Sequence, residues 1–325
     1  MSSSTPLPLS LLKDFTQIRP NLRQSAAWIA LVVTVVLGLL ISPAIVSPDH
    51  WPVLLRQAAP LGLLALGQTV LILVRGFDLS AGGVVGLVSV LAAGGIALDF
   101  GAVGVVVICF AMGILVGAIN GAVVAWGKLS PLIATLGTGF VLTGAMLVYT
   151  GGAPTGEVPE AIRAISAGRV LGLSWGVYIW LIVTLVAGFL LKFSWPGRWV
   201  TAVGSSPEAA RHAGIKVEWV KFGTHVFSSM CAVAGGLLLA GFVGIGTLGA
   251  GQDLMLNSLA AAVLGATVLI GGRGGVSGTV GGVILLTVLS ALLTGAGIGE
   301  AGGLLTQGIV IIAAAALFRR SQNSL

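Results

Sequence analysis

Charge is the scarcest ingredient of this sequence: only 8% of its 325 residues are Asp, Glu, Lys or Arg, against about 25% in a soluble domain. A water-soluble globular protein is excluded. Cysteine is nearly absent, and Cys109 and Cys231 both fall within apolar runs, where a thiol packs as a small hydrophobe. The three histidines, His50, His212 and His225, are far apart and lack carboxylate or cysteine partners at metal-ligand spacing. No catalytic constellation stands out, so neither bond chemistry nor a bound metal is expected. The chain also has no GxxxxGK[ST] segment; Gly271-Gly272-Arg273-Gly274-Gly275 is not followed by Lys-Ser or Lys-Thr. It therefore has no nucleotide-phosphate loop of that kind.

Apolar residues make up 56% of the chain, there are 50 glycines, and mean hydropathy is +1.08. Apolar runs of about 18 to 23 residues recur, each long enough to cross a hydrocarbon core of about 30 Å as a helix. Breaks at charge, Pro and Gly clusters predict ten spans, near 26–46, 53–74, 79–98, 102–125, 131–149, 176–193, 221–245, 254–270, 276–295 and 302–318. These runs are too continuous for barrel strands. The expected class is an all-α polytopic membrane protein with about ten transmembrane helices. The first run exceeds the usual signal-peptide core and is read as a retained helix.

The basic residues set the orientation. With residues 1–25 in the cytoplasm, 13 of the 16 Lys and Arg residues fall on the inner side and only Arg56, Arg163 and Arg169 on the outer, the positive-inside pattern. An even number of spans then places both termini in the cytoplasm, with 26–320 as the membrane domain and 321–325 as a tail. The net charge of +6 is scattered over short connections, so it reflects membrane orientation and points to no nucleic-acid partner. Two connections are longer than the rest, an outer one over Gly151 to Trp175 and an inner one over 194–220. If spans two to five match spans seven to ten, the halves run in opposite directions, as inverted repeats do.

Ionisable groups are almost missing from the spans, which argues against coupling to an ion gradient through buried carboxylates. Energy is expected to come from outside this polypeptide, or the chain is a passive pore. The exception is Arg75-Gly76-Phe77-Asp78-Leu79-Ser80-Ala81-Gly82-Gly83, a sharp reversal between spans two and three. Asp78 there either caps the next helix or pairs with Arg75 in a solvated turn, or it serves a gate or ligand contact. Uncharged polar groups within the spans are Gln68, Thr69, Asn120, Thr135, Thr138, Thr143, Asn257, Ser258 and Thr267. They either bond across helices or line a path. Gln68, Asp78, Ser80, Asn120, Thr135, Thr138, Asn257 and Ser258 are the candidates for a translocation path or gate, one better suited to a neutral hydroxylated solute than to an ion.

The inner connection encodes a short helix with both ends specified. Ser206 is a natural N-cap, Pro207 suits the first helical position, and Glu208 favours the positive end of the dipole. Ala209, Ala210 and Ala213 supply propensity, Arg211 and His212 sit near the negative end, and Gly214 can close the helix in the left-handed conformation. So short a helix is marginal alone in water. It is expected either docked on another protein or lying at the membrane interface.

With these residues in hand, the chain resembles the permease subunits of bacterial ABC importers for monosaccharides, the ribose, xylose and arabinose type. The resemblance covers about Trp51 to Phe318. It rests on Gly76-Phe77-Asp78-Leu79-Ser80, on Asn120-Gly121 followed by Pro131-Leu132-Ile133-Ala134-Thr135-Leu136-Gly137, on Ala202-Val203-Gly204 with Ala209-Ala210 and Gly214-Ile215, and on the Gly271–Thr279 stretch. It implies a type II importer permease fold in the bacterial inner membrane and a dimer with a second copy or a paralogous permease. It also implies an ABC ATPase that consumes ATP with Mg, no cofactor bound by the permease itself, and a periplasmic sugar-binding protein. The segment Ser206 to Ile215 matches the family's coupling helix, which seats in the ATPase. Departures are Phe77 for the usual Ile, Met255 and Asn257 where an acidic pair is common, and Gly265-Ala266 for Gly-Gly. Permeases for branched-chain amino acids or nucleosides share the fold, and a stand-alone channel or facilitator is the more distant alternative.

Overall fold

The computed structural model describes residues 25, 27–298, 302, 305, 308 and 309. The expected span at 302–318 and the two termini thus lie largely outside the described residues. The helices are α1 (Ala27–Ile41), α2 (Trp51–Leu73), α3 (Ala81–Ala93), α4 (Gly95–Ala125), α5 (Pro131–Thr150) and α6 (Glu160–Ala167). A two-residue hairpin follows, β1 (Arg169–Val170) and β2 (Leu173–Ser174), and then α7 (Trp175–Phe193), α8 (Trp195–Ser205), α9 (Pro207–His212), α10 (Val217–Val243), α11 (Ala250–Leu264) and α12 (Val276–Gly295). Six described helices are long and apolar enough to cross a membrane: α2, α5, α7, α10, α12 and the part of α4 from Asp99.

Three predicted spans are corrected, and the first span, expected at 26–46, is the shorter α1 (Ala27–Ile41). The third is the 13-residue α3, only about 20 Å long at 1.5 Å per residue, because Gly94 takes an extended conformation (φ −85°, ψ −168°) and the chain restarts as α4. The eighth is the 15-residue α11, which ends at Leu264 because Ala266, Gly271, Gly272 and Gly274 all have positive φ. The α3 helix need not face lipid, since it is buried along almost its whole length. Both long connections also carry structure beyond what the sequence pattern showed. The outer one holds α6 and the hairpin, in which Arg169 pairs with Ser174 and Leu171 and Gly172 both have positive φ, as a two-residue hairpin turn demands. The inner one is not a loop: α8 and α9 fill it, and α10 already begins at Val217.

The core is built around α2 and α10, the most buried of the long helices. They run antiparallel. The end of α2 and the start of α10 share an apolar cluster containing Leu71, Leu73, Val200 and Val217. This marks what we term the basic end, and α10 finishes at the opposite end, where Val158 N–H donates to Gly244 O at 3.0 Å. The order long, short, long recurs in α2–α3–α4 and α10–α11–α12. Leu79 and Leu248, Ala81 and Ala250, and Gly82 and Gly251 are all separated by the same interval (248 − 79 = 251 − 82 = 169). The two short helices meet at that last pair, where a Cβ on Gly251 would lie 1.9 Å from Gly82 O. The two short helices thus touch by glycine contact at positions of matching register.

Helix contact elsewhere uses the same device. Gly113, Gly117 and Gly121 form a four-residue repeat along α4 that lies on Val233, Val226 and Phe222 of α10. Without a hydrophobic force between helices in lipid, such backbone approach maximises van der Waals contact. A Cβ on Gly117 would sit 2.6 Å from Val226 Cα and 2.9 Å from His225 O, backbone atoms that cannot rotate away. Gly117→Leu is expected to destabilise the protein by about 3 kcal/mol through overpacking, whereas Gly144→Ala, whose Cβ meets nothing within 4 Å, should leave it at or above wild type. Denaturant unfolding in detergent checks both.

Candidate functional site

The reversal after α2 is where the few polar groups of the bundle converge. Gly76 N–H closes the helix on Leu71 O at 2.8 Å, and the chain turns inward. Asp78 is only 1% exposed. Its Oδ1 accepts the Ser80 N–H at 2.9 Å and the Ser80 hydroxyl, while Oδ2 accepts the Ser228 hydroxyl of α10 at 3.2 Å. Gln68 clamps the Asp78 peptide from α2, with Nε2 donating to Asp78 O at 2.6 Å and Oε1 accepting Asp78 N–H at 3.3 Å. Ser80 Oγ accepts Asn120 Nδ2 of α4 at 2.9 Å, and Asn120 Oδ1 accepts the Thr138 hydroxyl of α5 at 2.6 Å. Thr135 Oγ1 accepts Leu79 N–H at 3.0 Å.

Gln68, Asp78, Ser80, Asn120, Thr135 and Thr138 therefore form one network, tying α2, α4, α5 and α10 to the start of α3. The reading of a solvated turn is overturned, as is the Asp78–Arg75 pairing. Local sequence could not show that α10 supplies Ser228, 150 residues away. Asn257 and Ser258 take no part: Asn257 is half-buried on α11, and buried Ser258 donates to Met255 O of its own helix at 2.7 Å. Thr69 instead joins α2 to α12 through Thr279 at 2.7 Å. Ser228 was the residue that sequence reading missed. The available signal was the i, i+4 spacing of Thr224 with Ser228 and of His225 with Ser229, all buried, which puts polar atoms on one stripe of an apolar helix. His225 bonds Lys221 O through Nδ1 at 2.9 Å, and its buried Nε2 has no partner.

Arg75 has a different role. In the left-handed region at φ 65°, it donates from Nε to Gly204 O and from Nη2 to Ser205 O, both at 2.7 Å. These are the last carbonyls of α8, the negative end of its dipole, where a guanidinium is favoured. Gly272 N–H donates to Leu73 O at 2.9 Å, and a Cβ on Gly204 would lie 1.7 Å from that same oxygen. The ends of α2 and α8 and the loop before α12 are locked into one joint.

The next residue is Ser206, the N-cap of α9, whose hydroxyl accepts Ala209 N–H at 3.2 Å. Pro207 opens the helix, and Gly214 follows it at φ 82°, with Ile215 N–H returning to Ala210 O at 3.0 Å. Both helix signals read from the sequence are realised. Ala210 is buried in the cluster of Leu71, Leu73, Val74, Val200, Val203 and Val217, while Glu208, Ala209, Arg211 and His212 are exposed. Arg211 forms an ion pair with Glu218 of α10, a partner that the sequence did not reveal. The knob thus presents one face outward and rests through the other on the α2–α8–α10 joint. Among the described residues no three His, Cys, Asp or Glu side chains gather as a metal site.

A bundle of apolar helices with a polar network at its centre and a docked external knob defines a membrane transport component. Residues 53–315 match the family described as the permease component of the branched-chain amino acid transport system, and the chain belongs to that family. Among curated relatives, the ribose import permease protein RbsC of Haemophilus influenzae is 32% identical over 302 residues, 92% of this chain and 94% of its own length. RbsC of Bacillus subtilis is 33% identical over 295 residues, 90% and 92% of the two chains. The autoinducer 2 import system permease protein LsrC of Shigella flexneri is 33% identical over 278 residues, 84% and 80%. No solved structure matches. The resemblance to ABC importer permeases is borne out, and the chain is a multi-pass membrane permease subunit, not an enzyme.

The network makes a graded stability prediction. Asp78→Ala strips the acceptor from three buried donors and should cost about 3 kcal/mol, since unsatisfied buried groups are expensive. Asp78→Asn keeps the shape and one acceptor oxygen and should cost about 1 kcal/mol. Unfolding midpoints in detergent should rank wild type, Asn, Ala.

Proposed function

We propose that this chain is the permease subunit of an ATP-driven importer that carries a monosaccharide, pentose or hexose, across the bacterial inner membrane by alternating access. The observation that carries the reading is the mechanical continuity from the exposed face of α9, through Ala210 and the Arg75 joint, to the Asp78 network. Curated relatives named for ribose import cover more of the chain than the autoinducer 2 relative does, which favours a sugar as solute. Amide and hydroxyl groups within an almost charge-free bundle suit such a solute.

The basic end is the cytoplasmic face, a reading supported by the distribution of Lys and Arg, and both termini lie there in a type II fold of about ten membrane helices that includes the short α3 and α11. The permease pairs with a second copy or a paralogue and receives solute from a periplasmic sugar-binding protein. Its ABC ATPase partner uses ATP with Mg, and the permease itself binds no cofactor. Ser206 to Ile215 is the coupling element: ATPase closure displaces α9, and the joint carries that displacement to the end of α2 and the reversal after it. The network of Gln68, Asp78, Ser80, Asn120, Thr135 and Thr138 then acts as the gate region, holding α2, α4, α5 and α10 in one of two arrangements. Asn257 and Ser258 are the candidates on α11 for the opposite half of the path.

Proteoliposomes containing this chain, its ATPase and its binding protein should accumulate labelled ribose only with ATP; accumulation by the permease alone would defeat the reading. Ala209→Trp, on the exposed face of α9, should abolish ATPase association without moving the unfolding midpoint. Arg75→Ala should retain ATPase association and hydrolysis yet lower uptake about tenfold, because the joint no longer transmits the displacement.

A further inference from the structure

Beside the coupling element lies a cavity of about 770 Å³, bounded by α8, the Ala213–Lys216 turn and α10, with Val70 of α2 on its floor. We propose that it is a binding site for one acidic glycerophospholipid of the cytoplasmic leaflet, its acyl chain lying along Val70, Val200 and Phe227 and its phosphate at Lys216. Besides the geometry, the proposal rests on the cytoplasmic placement of this end of the bundle.

Three observations select a lipid. The groove runs along α10 from Lys216 to Phe227, eleven residues (227 − 216) and about 16 Å of helix rise. It therefore passes from the interface into hydrocarbon depth, where a soluble subunit cannot follow. Its mouth carries Trp199 and Trp219, 43% and 58% exposed, with Trp195 and Trp126 exposed nearby, the aromatic girdle of a membrane–water boundary. Trp126, Trp219 and Phe222 pack on one another at 5.2 to 5.7 Å between centroids, Trp219 edge-on to both of the others, which fixes that rim. Finally, residues 192–221 hold five basic residues (Lys192, Arg198, Arg211, Lys216, Lys221) against two acids, and one of the acids, Glu218, is already engaged by Arg211. The groove is apolar inside and positive at its mouth, complementary to an acyl chain below an anionic phosphate. Its wall includes the turn that ends α9, so the lipid would brace the coupling element from its membrane side.

The test uses the purified full-length chain in detergent, without ATPase, so its outcome is independent of transport. Native mass spectrometry would follow titration with dioleoyl phosphatidylglycerol and, separately, dioleoyl phosphatidylcholine. Wild type should retain one phosphatidylglycerol more tightly than phosphatidylcholine. Lys216→Gln should weaken phosphatidylglycerol binding about fivefold, the effect of one lysine at an anionic surface, and leave phosphatidylcholine unchanged. Gly223→Leu projects into the groove, where a Cβ meets nothing within 4 Å, and should remove the site for both lipids at an unchanged unfolding midpoint. Equal affinity of wild type for the two lipids would overturn the proposal. So would wild-type phosphatidylglycerol affinity in both variants, the outcome expected if the groove were filled by residues 1–24, a second copy or the ATPase.

Discussion

A carboxylate buried among apolar helices has no water to satisfy it, and this condition organises the centre of the molecule. Asp78 is held by two hydroxyls and one backbone N–H. Supplying them brings α10 to the reversal after α2, and through Ser80 and Asn120 brings in α4 and α5. An unsatisfied polar group in a low-dielectric interior costs several times what a satisfied one contributes. The network is therefore close to all-or-none: its members meet together or the reversal does not pack.

The second organising feature is the joint at the basic end. Arg75 has a backbone conformation unusual for a residue with a side chain, and this directs its guanidinium onto the last carbonyls of α8. Glycines at 204, 271 and 272 let three backbones meet there at distances no Cβ would permit. Two residues separate Arg75 from Asp78, and one residue separates Ser205 from the start of α9. The small helix and the network are thus joined through a few contacts at this joint.

Much of this was legible in the sequence, for physical reasons. Continuous apolar runs can only be buried or lipid-facing helices, so most of the long helices lie where hydropathy placed them. The short helix after Ser206 was readable from its N-cap, proline and closing glycine, because capping is decided within a few residues. Six of the eight polar residues singled out meet in one network of bonds between helices. The half-length of α3 and α11 was hidden because apolar composition continues past Gly94 and Leu264, and the breaks there are backbone conformations. The helix α8 was hidden because its apolar face is short and its Pro196, Gly197, Gly204 and Ser205 resemble those of a loop.

Sequence by itself determined membrane residence and the caps of the short helix after Ser206, since each depends on composition or on neighbours along the chain. Tertiary structure alone decided that Asp78 bonds Ser228 and not Arg75, that Arg75 grips α8, that Arg211 finds Glu218, and that a groove opens beside Lys216. Each of these requires residues from different helices to be brought within about 3 Å, the reach of a hydrogen bond. Helix packing fixes that proximity, and the order of residues along the chain does not encode it locally.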